Sequence, residues 1–382
     1  MLPVFFLYDF THPDSPDSPH IPDSPDSPDS TRLNPTPHSL RLHHPVVVHL
    51  HIYTHTKRSQ LTNDAGEVTS HISGMFARTI RMMELGIKPV WVFDGKPPDM
   101  KGGEIAKRQK AKKKAQEDLK AAQAAGDVEA QNKFSKRNIR VGTKENEDVK
   151  YLFSLMGVPV VESPCEAEAQ CAALAAGGIC YGAASEDMDT LCFNSPVLLR
   201  KFTAAESKKI PVMEINIQRV LEDLEFTYPE FVDLCMLLGC DYMDKIEGIG
   251  PVKALQLMKQ HRSIEAVLEA IKGTKYKVPE NFDFVRARDL FINHEVLDPK
   301  AMKLKWGKVD EEELLNYLVN EKGFNLERTQ RQIARLIKAK NSTTQKRMDS
   351  FFTRVPSSSS SKKRKMDSKK KGGKKKVAKK RK

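Results

Sequence analysis

The sequence predicts an α/β fold in which a mostly parallel, twisted sheet is flanked by helices. Three short apolar runs are typical of buried strands: PVWVF (89–93), VPVVE (158–162) and ICYGAA (179–184). Helical patterns alternate with these runs, as in parallel sheets that carry helices on both faces. With 39% hydrophobic residues, a chain of 382 residues can also build a sizeable core.

The first 60 residues differ in character from the rest. Residues 13–30 repeat Pro, Asp and Ser with no apolar period, so we expect the segment 1–60 to be largely disordered. Residues 31–60 contain six histidines but no Asp or Glu. Periodic, globular sequence begins at Leu61.

Two helical regions frame the first predicted strand. Apolar residues recur at helical spacing over 70–85, and Gly86 is a typical C-terminal stop. Residues 104–138 are rich in Ala, Lys, Gln and Glu and are interrupted at Gly126, which predicts a helical hairpin. Composition alone favours a solvated hairpin. Its beginning is strongly basic over residues 101–114, which indicates a local surface for an acidic partner.

The middle of the chain continues the alternation of helix and strand. Residues 147–156 form an amphipathic pattern before the second strand. Ser163 and Pro164 are a favourable N-cap and first helical residue, so we expect a helix over 165–176. Residues 231–338 are mainly helical, and the turn IEGIGPVKA (246–254) lies between two helices.

Several classes of protein are disfavoured. No apolar run approaches the ~20 residues of a membrane helix, and the N-terminus lacks the pattern of a signal peptide, so we expect a soluble, intracellular protein with no membrane partner. The six cysteines never form a C-x-x-C pair, which favours reduced thiols over a zinc site or a disulfide framework. No Gly-rich phosphate loop, G-x-S-x-G or dinucleotide fingerprint is present.

The positive charge is concentrated at the C-terminus. Residues 362–382 contain 14 Lys and Arg and one acid, which accounts for the whole net charge of +13. KKRK (362–365) and the later lysine clusters predict a nuclear address and a nonspecific DNA tether. The alternative is a tail that only increases solubility.

Acidic residues follow the predicted strands at the edge where ligands of open parallel sheets gather. The six candidates, from four segments, are Asp94, Glu166, Glu168, Asp187, Asp189 and Asp241. Each alone is a common feature of a solvated helix face or a turn. If they converge, a hard divalent cation such as Mg²⁺ or Mn²⁺ must balance their charge. Beside a basic cluster, such a site suits phosphodiester hydrolysis by two metal ions.

From Leu61 to about residue 352 the chain resembles the eukaryotic flap endonucleases of the XPG-type structure-specific nuclease family. The residues that carry the resemblance are TSHISGMFARTIRMMELGIKPVWVFDGKPPDMKGGEIAKR (69–108), SPCEAEAQCAAL (163–174), ASEDMDTL (184–191), FVDLCMLLGCDY (231–242) and IEGIGPVKAL (246–255). The resemblance implies a PIN-like nuclease core with a helical arch and a helix-turn-helix DNA-binding element. It also implies cleavage of 5′ flaps and 5′–3′ exonuclease activity in DNA replication (Okazaki fragment maturation) and base excision repair.

The resemblance assigns roles to residues at the site. It implies two Mg²⁺ ions, replaceable by Mn²⁺, the first on Asp94, Glu166 and Glu168 and the second on Asp187, Asp189 and Asp241. It makes Lys101 and Arg108 the catalytic basic pair that reaches the scissile phosphate. The positions that it places at the DNA are Arg78, Glu166, Gly239, Asp241, Gly248, Gly250 and Lys253. A monovalent cation at the helix-turn-helix is a further expectation.

A short segment after the nuclease core resembles the family's sliding-clamp-binding box. In QKRMDSFF (345–352) the residues with the family spacing are Gln345, Met348, Phe351 and Phe352. The implied partners are 5′-flap DNA and the trimeric sliding clamp, proliferating cell nuclear antigen, for a protein that is otherwise a monomer. The implied location is the nucleus, with the nucleolus and the mitochondrion as further compartments.

The expected organisation follows from these assignments. We expect the N-terminal segment (1–60), two parts of the nuclease core separated by the helical arch, a C-terminal helical part, the clamp-binding segment and a disordered basic tail. The bounds after the N-terminal segment are 61–112, 113–138 for the arch, 139–261, 262–340, 341–356 and 357–382.

The N-terminus departs from the family pattern. Family members have a first strand that ends in another metal-binding aspartate, and counting back without gaps places that position at Leu42. The central strand is missing as well unless VVVHLHI (46–52) replaces it. Two explanations remain: the working protein uses another start, or the chain is a catalytically impaired paralogue that binds DNA and the sliding clamp.

Overall fold

The computed structural model describes residues 45–49, 61–138, 142–202 and 210–341, all within one compact unit. The Pro/Asp/Ser repeat, the clamp-binding box and the basic tail lie outside the described residues. No helix among those described is both long and apolar enough to cross a membrane.

A six-stranded sheet organises the described chain. Its spatial order is β3-β2-β1-β4-β5-β6; every neighbouring pair is parallel except β5 and β6. The strands are β1 (Val46–His49), β2 (Pro89–Phe93), β3 (Val160–Glu162), β4 (Ala183–Ala184), β5 (Val197–Arg200) and β6 (Met213–Asn216). The strand order therefore changes direction at β1: β2 and β3 lie on one side of it, and β4 to β6 lie on the other. Open α/β sheets bind ligands at such a switch point, here between β1 and β4.

The central strand lies in the apolar run 46–52, which the sequence analysis named as its possible replacement, although the segment 1–60 as a whole was placed outside the core. Val46–His49 pairs with β2 over its full length and with β4 through Val47 and Val48. The boundary at residue 61 is therefore wrong, because the sheet begins at Val46. The gap-free count to Leu42 fails for the same reason: the described first strand ends at His49, so the connection to β2 is shorter than the count assumed.

The helices follow the predicted alternation. Their bounds are α1 (Ser70–Glu84), α2 (Gly102–Ala124), α3 (Val128–Asn138), α4 (Thr143–Leu155), α5 (Ala167–Ala176), α6 (Ile217–Leu224), α7 (Tyr228–Leu238), α8 (Pro251–His261), α9 (Ile264–Ile271), α10 (Phe284–Ile292), α11 (Glu311–Leu315) and α12 (Leu326–Asn341). Helix α2 is continuous through the arch boundary expected at residue 113. It is separated from α3 at Gly126, whose φ of +67° suits a glycine at a helix end.

The sheet is covered on both faces, as the sequence predicts. On one face Trp91 stacks on Phe153 of α4 at 5.1 Å between ring centroids, within a cluster that includes residues of α1 and α12. On the other face Val90 and Val92 pack on apolar residues of α5. A third cluster unites α6 to α10 with the turn after β4. All six cysteines are free thiols.

The start of α5 differs from the prediction. The Ser163 hydroxyl donates to the backbone oxygens of Phe93 and Cys165 instead of capping a helix. Glu166 is the N-cap residue, and the helix begins at Ala167. The third predicted strand is also shorter, since only Ala183 and Ala184 pair with neighbours. Both changes lie at the edge where the acidic residues gather.

Candidate active site

Asp94 directly follows β2 and is joined to the start of α5. Its Oδ1 accepts a hydrogen bond from the backbone N–H of Ala167 at 3.0 Å. The next residue, Gly95, donates its N–H to the Cys165 carbonyl at 2.7 Å. A Cβ at Gly95 would overlap the carbonyl oxygens of Ser163 and Pro164, so the close approach requires glycine. This turn brings the end of β2 against the residues that open α5.

Three carboxylates meet at this junction. Glu166 and Glu168 are 8% and 7% exposed, and each offers an oxygen within 4.8 Å of the others and of Asp94. Burial raises the pKa of Glu166, an effect that Lys101 opposes and that the charges of Glu168 and Asp94 reinforce. In the described part of the chain this is the one set of three or more acidic, His or Cys side chains that is so close. The structure thus brings together the three residues predicted for the first metal ion.

The residues predicted for the second metal ion lie beside the first set. Asp187 caps the short helical turn 188–191 by accepting from the N–H of Asp189 at 3.1 Å. Burial raises the pKa of Asp189 to about 7, and the charges of Asp187, Asp241 and Glu168 act in the same direction. The oxygens of Asp187, Asp189 and Asp241 do not come as close together as those of the first set, and Asp241 is also held by cations.

Those cations are the two predicted catalytic residues. Lys101 Nζ donates to both oxygens of Glu166, at 3.0 and 2.7 Å, and lies 3.4 Å from Asp241 Oδ2. Arg108 Nη2 donates to both oxygens of Asp241, at 3.1 and 3.0 Å. Burial lowers the pKa of Lys101, but the charges of Glu166, Asp241 and Glu168 outweigh it and raise that pKa above its usual value. The basic pair and the acidic cluster are therefore one site.

Two further predicted DNA contacts have distinctive surroundings. Arg78 on α1 is half-buried, and this burial lowers its pKa to about 10. Its described contact is a weak one from Nη1 to Met75 Sδ at 3.7 Å, and no described carboxylate pairs with it. A desolvated guanidinium without a counter-ion favours an anion. Gly239 ends α7 at φ +107°, where a Cβ would overlap the Lys245 side chain.

The predicted helix-turn-helix is present around GIGP. The turn lies between α7 and α8, and Gly250 is the N-cap residue of α8. Gly248 has φ +85°, and a Cβ there would lie 3.1 Å from the Tyr276 ring. Lys253 is half-buried in the first turn of α8. The glycines therefore expose backbone at a helix N-terminus, a geometry that suits a phosphate.

The sequence analysis gave no site role to three contacting residues, although two of them lie in the basic stretch 101–114 that it identified. Glu104 accepts from Arg108 Nε at 3.0 Å, and the spacing of four residues could have indicated this pair. Lys107 contacts Asp244 across the chain. No sequence pattern could have indicated this pair, because its two residues are 137 positions apart in the chain.

Comparisons with known proteins agree with this site. The XPG N-terminal domain matches residues 45–115, and the XPG I-region matches residues 157–241. Flap endonuclease 1 of Nematostella vectensis is 52% identical over 299 residues, covering 78% of this chain and 79% of that protein. The chain belongs to the flap endonuclease family. Flap endonuclease 1 of Homo sapiens is 50% identical over 292 residues, covering 76% of this chain and 77% of that protein.

Solved structures give the same assignment. Flap endonuclease-1 from Methanococcus jannaschii is similar with a TM-score of 0.59 and 30% identity, covering 77% of this chain and 92% of that one. The catalytic core of Rad2, solved in complex with DNA substrate, has a TM-score of 0.60 at 21% identity and covers 77% and 93% of the two chains. The Rad2 likeness supports the α/β nuclease fold alone.

As a flap endonuclease, the chain departs from its family at β1. The domain match starts at residue 45, which agrees with β1 as the first strand of the family fold. The last residue of that strand is His49, paired in register with Val92, and residues 45–49 contain no acid. The aspartate expected at the end of the first strand is therefore absent from the described strand.

Proposed function

We propose that this chain is a divalent-metal-dependent nuclease that cuts branched DNA bearing a 5′ flap and acts as a 5′–3′ exonuclease. The observation that carries the proposal is the 2.7 Å contact of Lys101 with Glu166, beside Asp94 and Glu168. It joins a cation at the head of a long helix to a carboxylate cluster. Family membership supports the preference for flaps.

The donor set fits hard divalent cations. Clustered carboxylate oxygens suit Mg²⁺, with Mn²⁺ as a substitute. We assign two ions per chain, one to Asp94, Glu166 and Glu168 and one to Asp187, Asp189 and Asp241. When bound, such a pair of ions supplies an activated water and stabilises the leaving oxygen.

The chain's own cations complete the site. Lys101 and Arg108 would donate hydrogen bonds to the scissile phosphate, where charge develops during cleavage. Arg78 and the backbone around Gly239 would hold the DNA near the junction, while Gly248, Gly250 and Lys253 would grip a duplex phosphate. A monovalent cation at the GIGP turn would share that role.

The decisive experiment is cleavage of a labelled flap duplex by the full chain with Mg²⁺ and with EDTA. We expect metal-dependent cleavage that Asp94→Asn lowers by about a hundredfold or more. Asp223→Asn is the matched control, because Asp223 lies exposed on α6 with only a long 3.9 Å pair to Arg219. Cleavage that persists in EDTA, or in Asp94→Asn, would refute the proposal.

One observation favours a second candidate, a DNA-binding and clamp-binding protein without catalysis. It is the absence of an acid in β1, which ends at His49. Under this alternative the chain binds flap DNA but does not cut it in Mg²⁺ or Mn²⁺, and His49→Asp generates cleavage. If the unmodified chain already cleaves, the alternative is refuted.

We further propose a nuclear protein of DNA replication (Okazaki fragment maturation) and base excision repair that acts as a monomer on the trimeric sliding clamp. The support is the spacing in residues 345–352 and the lysine-rich tail. Deleting 357–382 should move the protein out of the nucleus and weaken the salt dependence of DNA binding. An unchanged distribution would contradict the addressing role.

A further inference from the structure

The first two turns of α2 are tied to acids from distant segments. Lys101 immediately precedes the helix and donates to Glu166 at the head of α5. Arg108 donates to Asp241, and its neighbour Lys107 contacts Asp244, both in the segment that follows α7. One end of a single helix is thus held from two sides.

The contacts fix the rotation of α2 as well as its position. Residues 101, 104 and 108 lie on one helical face, and Glu104 orients Arg108 through the 3.0 Å contact to its Nε. Lys107, one position before Arg108, contacts Asp244, so the contacts together restrict rotation of the helix.

Two of these acids are among the proposed metal ligands, and one is not. Glu166 and Asp241 belong to the ligand set, so Lys101 and Arg108 neutralise charge that divalent ions would otherwise balance. Asp244 lies outside that set. The side chains of Lys107 and Asp244 are 61% and 62% exposed, so their pair can be altered without changing the metal ligands.

We propose that α2 is an internal counter-ion clasp: before metal and DNA bind, Lys101 and Arg108 compete with divalent ions for Glu166 and Asp241, and Lys107–Asp244 positions the helix for that competition. The clasp rests on the proposed function for the identity of the metal ligands. It lowers the metal affinity of the DNA-free chain and couples metal entry to release of α2. Lys107 and Asp244 are positioning residues.

The test is Mn²⁺ binding to the full, DNA-free chain, measured from the electron paramagnetic resonance signal of unbound Mn²⁺. Lys107→Glu should tighten binding by about two- to fivefold more than Lys110→Glu does, as expected for loss of an exposed ion pair. Lys110 is the matched control because it lies one turn further along α2 and has no ion pair with any described residue. Lys101→Gln should tighten binding further.

A charge swap distinguishes the effect of the Lys107–Asp244 contact from the effect of a changed net charge near the site. Lys107→Glu combined with Asp244→Lys restores the pair and the net charge, so its Mn²⁺ affinity should return to that of the unmodified chain. Equal effects of Lys107→Glu and Lys110→Glu, or a swap that behaves like the single variant, would overturn the clasp. Thermal melting of each variant verifies that it folds.

Mn²⁺ binding and flap cleavage together distinguish failure of the clasp from failure of the proposed nuclease function. If Mn²⁺ binding responds as expected but flap DNA is not cleaved, the clasp stands and the nuclease proposal fails. If cleavage occurs and Lys107→Glu leaves Mn²⁺ binding unchanged relative to Lys110→Glu, the clasp alone is refuted. If neither the unmodified chain nor Lys101→Gln binds Mn²⁺, both proposals are refuted.

Discussion

At the scale of single residues, Asp189 shows how the site depends on a cation. Burial and the neighbouring charges of Asp187, Asp241 and Glu168 raise its pKa to about 7, against an ordinary value of 3.8. The folded chain therefore holds this proton more tightly than the unfolded chain. Its contribution to stability is fully present below about pH 4 and is lost as pH rises through about 7. A bound metal ion would remove the penalty by balancing the ionised carboxylate.

The first prediction concerns stability against pH without metal. In EDTA, Asp189→Asn should gain melting temperature relative to the unmodified chain as pH rises from about 5 to about 8, because asparagine never ionises. Adding Mg²⁺ at the higher pH should reduce or reverse that gain. Asp223→Asn is the control and should follow the unmodified chain. If the difference in melting temperature between Asp189→Asn and the unmodified chain is the same at every pH, the prediction is contradicted.

At the scale of elements, one buried acid ties three helices together. Asp233 of α7 is 3% exposed and accepts from the backbone N–H of Ile264 at the start of α9. Arg288 of α10 donates to both of its oxygens, at 2.7 and 2.8 Å, and also to Glu265. This network joins α7, one of the two helices beside the GIGP turn, to α9 and α10.

The second prediction is a stability difference between two arginines of α10. Arg288→Met should lower the free energy of unfolding by about 3–5 kcal/mol, because it leaves the buried Asp233 carboxylate without its cation. Arg286→Met should cost no more than about 0.5 kcal/mol, since Arg286 makes only an exposed 4.0 Å pair with Asp283. Urea unfolding of both variants is the measurement. Similar losses would show that the network does not stabilise the fold.

The elements also show what the sequence could predict. The α1 helix and the β2 strand were predicted to within one residue, because a buried periodic pattern is decided locally. The start of α5 was not, since Ser163 bonds to Phe93, a residue 70 positions away. The acidic residues of the site were identified from motifs. The contact between Lys101 and Glu166 was not predicted, because these residues are 65 positions apart and meet only through tertiary packing. The central strand β1 was predicted only as an alternative, in the run 46–52, because the sequence on either side of it has no periodic pattern.

At the scale of the whole molecule, the proposed chemistry and the proposed recruitment are in separate parts of the chain. All candidate catalytic and metal-binding residues lie between Asp94 and Asp241. The clamp-binding box and the basic tail follow residue 341, outside the described residues, and the tail carries the whole net charge of +13. A chain so divided should lose one function without losing the other.

The last prediction tests that separation with Phe351→Ala combined with Phe352→Ala. Two adjacent aromatic residues in a polar segment are favoured if a partner buries them, and aromatic anchors at an interface commonly contribute about 2 kcal/mol or more each. A loss of that size is roughly thirtyfold in affinity per residue, so binding to the trimeric sliding clamp should fall below detection by calorimetry. Asp349→Ala with Ser350→Ala, between the anchors, should bind normally. Flap cleavage without the clamp should be unchanged in both variants, and its loss in the phenylalanine variant would mean that the box also supports the nuclease itself.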